Sequence, residues 1–276
     1  ATLPNLVKSH QLNQAVAVTS TVWNLALTIG PFIAGLLIAL LDRNIYWLLV
    51  CGACGTLISF LQLPAMGAAN AAGGKRDLLG GLRFLKHNQI VLGSLSLDLF
   101  IVLLGSVVAL LPVYAADILH VGPEGLGLLR AMPAAGAVLM GIYLSRFKTE
   151  FAQTGTTLFN ALLIFSGSIL VFGLSTNIWI SAIALFVYGA SDMISVVIRG
   201  AVVQLNTPDA LRGRVSAANS IFIASSNQLG DFRAGSTAAA LGPVNATLLG
   251  GICAFGVVIA GGYWFKDLRR LTSLEK

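Results

Sequence analysis

The chain has 276 residues, 56% of them hydrophobic and only 10% charged, with 17 basic and 11 acidic side chains and a mean hydropathy of +0.84. A soluble domain carries about 25% charged residues, so these groups cannot cover a water-exposed surface of this size; a single soluble globule and a disordered chain are excluded. The net charge of +6 does not indicate nucleic acid, because the basic residues fall in small clusters between long apolar runs, as they do in cytoplasmic loops of membrane proteins. Each membrane-spanning helix needs roughly 20 apolar residues, which leaves room for about eight spans. The expected fold class is an all-α polytopic membrane protein with the lipid bilayer as its partner.

Eight apolar segments follow one another. The first covers residues 18–41 and the second 46–63, joined by a tight hairpin at 41–45. Residues 65–89 form the longest polar stretch, with an amphipathic helix expected at 76–86, lying along the membrane surface. The third segment is 90–115 and the fourth 125–144, with Gly122-Pro123 as breaker between them. The remaining four are 156–174, 179–198, 215–241 and 246–265. No strand-like alternation appears, which excludes a barrel. The first methionine is Met66, so the chain is expected to be a piece of something longer.

Basic residues orient the bundle. Threading eight spans from an inside N-terminus puts Lys8, Lys75, Arg76, Arg83, Lys86, Arg146, Lys148, Arg199, Arg212, Arg214, Lys266, Arg269, Arg270 and Lys276 inside, and only Arg43 outside. Arg130 and Arg233 fall within spans. The rule that positive charge stays inside then gives an N-in, C-in topology.

Five ionisable residues lie within expected spans: Asp98, Arg130, Asp192, Asp231 and Arg233. Each costs roughly 2.5 to 3.5 kcal/mol in a membrane, so each must face the bundle, a wet cavity or a partner. Counting the helical rise puts Asp98 and Asp231 near the midplane, Asp192 toward the cytoplasmic side and Arg130 toward the outside. Two readings stand for the acids: a proton relay with polar substrate contacts, or structural ion pairs between helices. For Asp192 and Arg130 a gate or structural pair is favoured. Asp231 and Arg233 are two positions apart and point to different faces, so they are not expected to pair, and Arg233 is free to snorkel. Asn227 and Gln228 either line a cavity or hydrogen-bond a neighbouring helix.

The Cys51-Gly-Ala-Cys54 spacing sits in an apolar span and is read as small residues for helix packing, with Gly52 and Gly55. His10, His87 and His120 all fall in loops, and no nucleotide, zinc or nucleophile-elbow pattern is present. Neither an enzyme nor a cofactor nor a metal site is expected.

Thr28-Ile-Gly-Pro-Phe-Ile-Ala-Gly35 resembles the Gly-Pro element of the fifth helix in drug:proton antiporters of the major facilitator superfamily. The stretches 97–115 and 122–136 look like helices seven and eight of the enterobactin-exporter-like branch. Thr207-Pro-Asp-Ala-Leu-Arg-Gly-Arg-Val-Ser216 and Ser226-Asn-Gln-Leu-Gly-Asp-Phe-Arg-Ala-Gly235 look like its loop ten–eleven and helix eleven. The resemblance covers nearly the whole chain and registers the eight segments as helices five to twelve of twelve. Residues 1–64 are then the last two helices of an N-terminal bundle, 65–89 the central cytoplasmic loop, and 90–276 a six-helix C-terminal bundle with a cytoplasmic tail.

The resemblance implies alternating access between two six-helix bundles about a site near the midplane. Asp98, Asp192, Asp231, Asn227 and Gln228 become candidates for proton coupling or cavity lining. Gly30, Pro31, Gly35, Arg130, Arg233, Arg212 and Arg214 become interface or gating candidates. Family members often carry a second acid where this chain has Arg233, so coupling here would rest on Asp98 and Asp231. The implied function is export of a small amphipathic molecule, a siderophore or drug, by proton antiport across the cell (inner) membrane. The alternatives are a small-solute importer or facilitator of the same fold, and a non-transporting membrane remnant or scaffold.

Overall fold

A computed structural model describes residues 45–61, 88–146 and 153–272. The expected span 18–41, the amphipathic helix 76–86 and the candidates Gly30, Pro31 and Gly35 lie outside the described residues. Among the described residues every regular element is helical. The elements are α1 Ile45–Leu61, α2 Gln89–Gly105, α3 Pro123–Arg146, α4 Thr154–Leu174, α5 Ile178–Leu205, α6 Asp209–Leu241, α7 Pro243–Trp264 and the short α8 Lys266–Arg269.

The boundaries follow local chemistry. Asn88 caps α2 by accepting a hydrogen bond from the Val91 amide. Asn177 caps α5 by accepting from the amides of Trp179 and Ile180. These side chains satisfy donors that a helix start leaves bare. Gly242, at φ +84, stops α6, and Pro243 starts α7 at once. A left-handed glycine followed by a proline with its preset φ is how a chain leaves one helix and enters the next.

Five stretches are long and apolar enough to cross a membrane: Gln89–Ile118, Pro123–Leu144, Thr154–Leu174, Ile178–Val203 and Pro243–Trp264. The other two differ for separate reasons. α1 has only 17 residues. α6 has 33, but its Ser, Asn, Gln, Asp and Arg content makes it too polar to qualify. The seventh expected segment is therefore a helix, though not an apolar one.

α5 packs along α3 on one side and α4 on the other; α7 lies against α4 and α2, and α6 against α2 and α7. The centre is filled by Ile101, Tyr114, Leu129, Phe172, Leu185 and Ile198, all buried. The outside carries exposed Leu139, Ile183, Ile252 and Ile259. An apolar exterior of this extent belongs in lipid. Trp179 at the start of α5 and Tyr263 and Trp264 at the end of α7 are exposed, as interfacial aromatic anchors are. α1 is exposed along its described side chains, and Gly52 and Gly55 face open space. The packing reading of the Cys51–Cys54 segment thus finds no neighbour among the described residues.

Where α3 meets α5 the backbones touch. A Cβ on Gly136 would collide with the Phe186 carbonyl, and one on Gly189 with the Pro133 carbonyl. Small residues permit this approach where no hydrophobic effect drives helices together. Gly189→Val should therefore force α3 from α5 and cost about 1–3 kcal/mol, read as a lower denaturant midpoint for the reconstituted chain. Gly167→Ala, whose site opens on empty space, should leave that midpoint unchanged.

Candidate functional site

The 30-residue stretch Gln89–Ile118 is not one helix. α2 stops at Gly105, and Ser106 takes an extended conformation with ψ 124. A 3-10 turn Val108–Leu110, a single helical turn Leu111–Val113 and a π turn Tyr114–Ile118 complete the stretch. An extended residue interrupts the hydrogen-bond ladder and strips the last carbonyls of α2 of their helical donors.

Side chains of α6 and small residues of α6 and α7 close around this break. The Arg233 Nε donates to the Leu103 carbonyl at 2.9 Å. The Ser106 hydroxyl donates to the Asp231 carboxylate at 2.5 Å. A Cβ on Gly230 would lie 2.9 Å from the Val102 carbonyl, and one on Gly250 3.2 Å from the Arg233 guanidinium; both glycines leave room for the contact. Asp231 and Arg233 do not pair with one another, as expected, but both reach α2. Arg233 does not snorkel outward: its side chain is long enough to turn back onto the break.

Nearer the Gln89 end, Asp98 forms an ion pair with Arg199 of α5. Both residues are buried, at 7% and 6% exposure. This corrects one expectation. Arg199 is not an inside loop residue but part of the apolar stretch Ile178–Val203, because α5 continues well past the expected end. Asp98 stands roughly 14 Å from the Gln89 end at 1.5 Å per residue.

Asp192 is half-buried on α5. Tyr188, one turn earlier, lies within Coulombic range of both Asp192 and Asp231. Its ring stacks on Phe165 with centroids 4.2 Å apart. Asn227 and Gln228 are exposed on α6, as are Ser225 and Ser236. Arg130 is exposed on α3. Arg212 and Arg214 belong to α6, which begins at Asp209, earlier than the expected loop allowed.

Ser106, Tyr188 and Arg199 were missed from sequence. Arg199 adjoins the expected end of its segment, and Gly105-Ser106 is a small-residue step in an apolar run, so both left a faint local signal. Tyr188 left none.

Buried and half-buried ionisable groups at the contacts between helices, inside a bundle clothed largely in apolar side chains, define a multi-pass membrane protein of the transporter type. The chain belongs to the family of transmembrane secretion effectors of the major facilitator superfamily, which it matches over residues 1–275; this is a family of transporters, not of enzymes. It is 27% identical over 266 residues to the enterobactin exporter EntS of Citrobacter koseri, covering 95% of this chain and 62% of that protein. It is 29% identical over 269 residues to EntS of Escherichia coli O81, with the same shares covered. The chain thus spans less than two thirds of these curated relatives. No solved structure matches it.

The Asp98–Arg199 pair predicts a distinctive mutational pattern. Asp98→Asn leaves a buried guanidinium without its counter-charge and should destabilise the bundle by about 3–5 kcal/mol. Adding Arg199→Gln removes the orphan charge and should recover most of that loss. Denaturant unfolding of the single and double variants measures it; equal losses in both would show that the two groups are not coupled.

Proposed function

We propose that this chain forms part of an exporter that moves a small amphipathic molecule, of the siderophore or drug class, out of the cell by proton antiport. The Ser106–Asp231 hydrogen bond at the break of α2 carries this reading. It places a titratable group on the joint between two halves of a membrane-crossing stretch. The names of the EntS relatives support export and the siderophore class. The orientation we adopt is N-in and C-in, in the cell membrane, with residues 65–89 as the cytoplasmic loop between two bundles.

In this mechanism the ionised Asp231 holds Ser106, and with it the segment 107–118, against α6. A hydrogen bond to a charged acceptor is roughly twice as strong as a neutral one. A proton arriving at Asp231 weakens the bond and lets that segment move relative to α2. Asp192, with Tyr188 beside it, is the second acid on the route. The exposed Asn227 and Gln228 belong to the wall of the substrate pathway, where their amides meet water instead of lipid. Asp98 and Arg199 stay paired and keep α2 against α5 throughout. Loss of the proton on one side and capture of substrate on the other are then alternatives for the same site.

The test uses everted membrane vesicles carrying the gene product that contains this chain, with uptake of a catecholate siderophore or an amphipathic dye driven by a proton gradient. Asp231→Asn should abolish gradient-driven uptake while protein levels stay normal. Ser106→Ala should slow uptake by about tenfold, the scale of one hydrogen bond to a charged group. Wild-type uptake in Asp231→Asn would overturn the assignment, and gradient-driven uptake only in right-side-out vesicles would favour the importer.

A further inference from the structure

Away from the break, a cavity of about 650 Å³ opens where the start of α4 meets the end of α7 and α8. Its walls include Gln153, Thr156, Tyr263, Lys266, Arg269 and Arg270. All three cations are exposed, and among the described residues their side chains have neither an ion-pair nor a hydrogen-bond partner. Asp267, the acid of this turn, does not line the cavity. The cradle is firmly built. Leu268 is buried, and the Gly155 amide donates to the Leu271 carbonyl at 3.0 Å. A Cβ on Gly155 would collide with the carbonyls of Leu268 and Arg269, so α8 is fastened directly to α4.

The cavity continues into a second groove of about 220 Å³ that runs between α4 and α7 along the outside of the bundle. The two share Thr156, Gly262, Tyr263 and Arg269. Beyond the shared residues the groove is lined by Phe159, Leu163, Val258 and Ile259, with Asn160 among them. Asn160 is exposed on this lipid-facing surface, roughly 9 Å along α4 from Thr154. A lone amide there has no protein partner among the described residues.

We propose that this cavity and groove form a binding site for one anionic phospholipid. Lys266, Arg269 and Arg270 take the phosphate of the headgroup, Tyr263 borders it at the interface, the Asn160 amide meets an ester carbonyl, and an acyl chain follows the groove past Phe159 and Ile259. Basic pockets between membrane helices recognise anionic headgroups in this way. The apolar groove continuous with the cations selects a phospholipid over a free phosphate. In the N-in, C-in orientation the site opens to the cytoplasmic leaflet. It shares no residue with the Asp231 site, so its test is independent of the transport reading.

Native mass spectrometry of the purified chain tests this with three probes: phosphatidylglycerol, phosphatidylcholine with the same acyl chains, and free glycerol 3-phosphate. The chain should retain phosphatidylglycerol at concentrations where neither of the others stays bound. Lys266→Gln with Arg269→Gln should reduce that retention by about tenfold or more. Asn160→Leu should weaken it by a smaller factor. Arg269→Lys, which keeps the charge, and Arg146→Gln, a basic residue at the end of α3, should both bind as wild type. Equal retention of the two lipids, free glycerol phosphate binding as well as the lipid, an unchanged double glutamine variant, or a loss in Arg269→Lys as large as in that variant would each overturn the proposal.

Discussion

A helix that stops inside a bilayer exposes carbonyl groups where no water can satisfy them, and a break at that depth persists only if neighbouring helices supply the missing donors. The interruption at Ser106 creates this demand in the middle of the stretch Gln89–Ile118. α6 answers it with a guanidinium that donates to the Leu103 carbonyl, while its Asp231 carboxylate accepts from the Ser106 hydroxyl. Gly230 and Gly250 make the approach sterically possible. The polarity of α6, which keeps it from resembling an ordinary membrane helix, is thus partly a consequence of the broken partner it serves.

The rest of the bundle is closely packed around this joint. α3 and α5 touch backbone to backbone through Gly136 and Gly189, and such dry, close contacts do not deform continuously. The buried Asp98–Arg199 pair fastens the Gln89 end of α2 to α5. Beyond Ser106 the short 3-10, α and π turns replace a regular ladder, and irregular turns of this kind often mark hinges.

Much of the architecture was legible because the signal is local. The apolar runs 156–174 and 246–265 correspond closely to Thr154–Leu174 and Pro243–Trp264, and Gly122-Pro123 and Gly242-Pro243 mark turns by backbone chemistry alone. The site was legible only in part. Counting charges inside apolar segments singled out Asp98, Asp192, Asp231 and Arg233, but it could not pair them. The contacts that give them meaning join residues 125 and 130 positions apart, and no periodicity reports such distances. Arg199 was set outside its span because a basic residue near a segment end looks like a loop residue until an acid on another helix is seen to neutralise it.

The account stands on α6 holding the break in α2. Amide hydrogen exchange of the chain in lipid nanodiscs, comparing wild type with Arg233→Met, measures this most directly. With the donor to Leu103 removed, residues 100–112 should exchange much faster while α3, α4 and α5 keep their protection. An unchanged profile across 100–112, or an equal loss of protection throughout all helices, would contradict it.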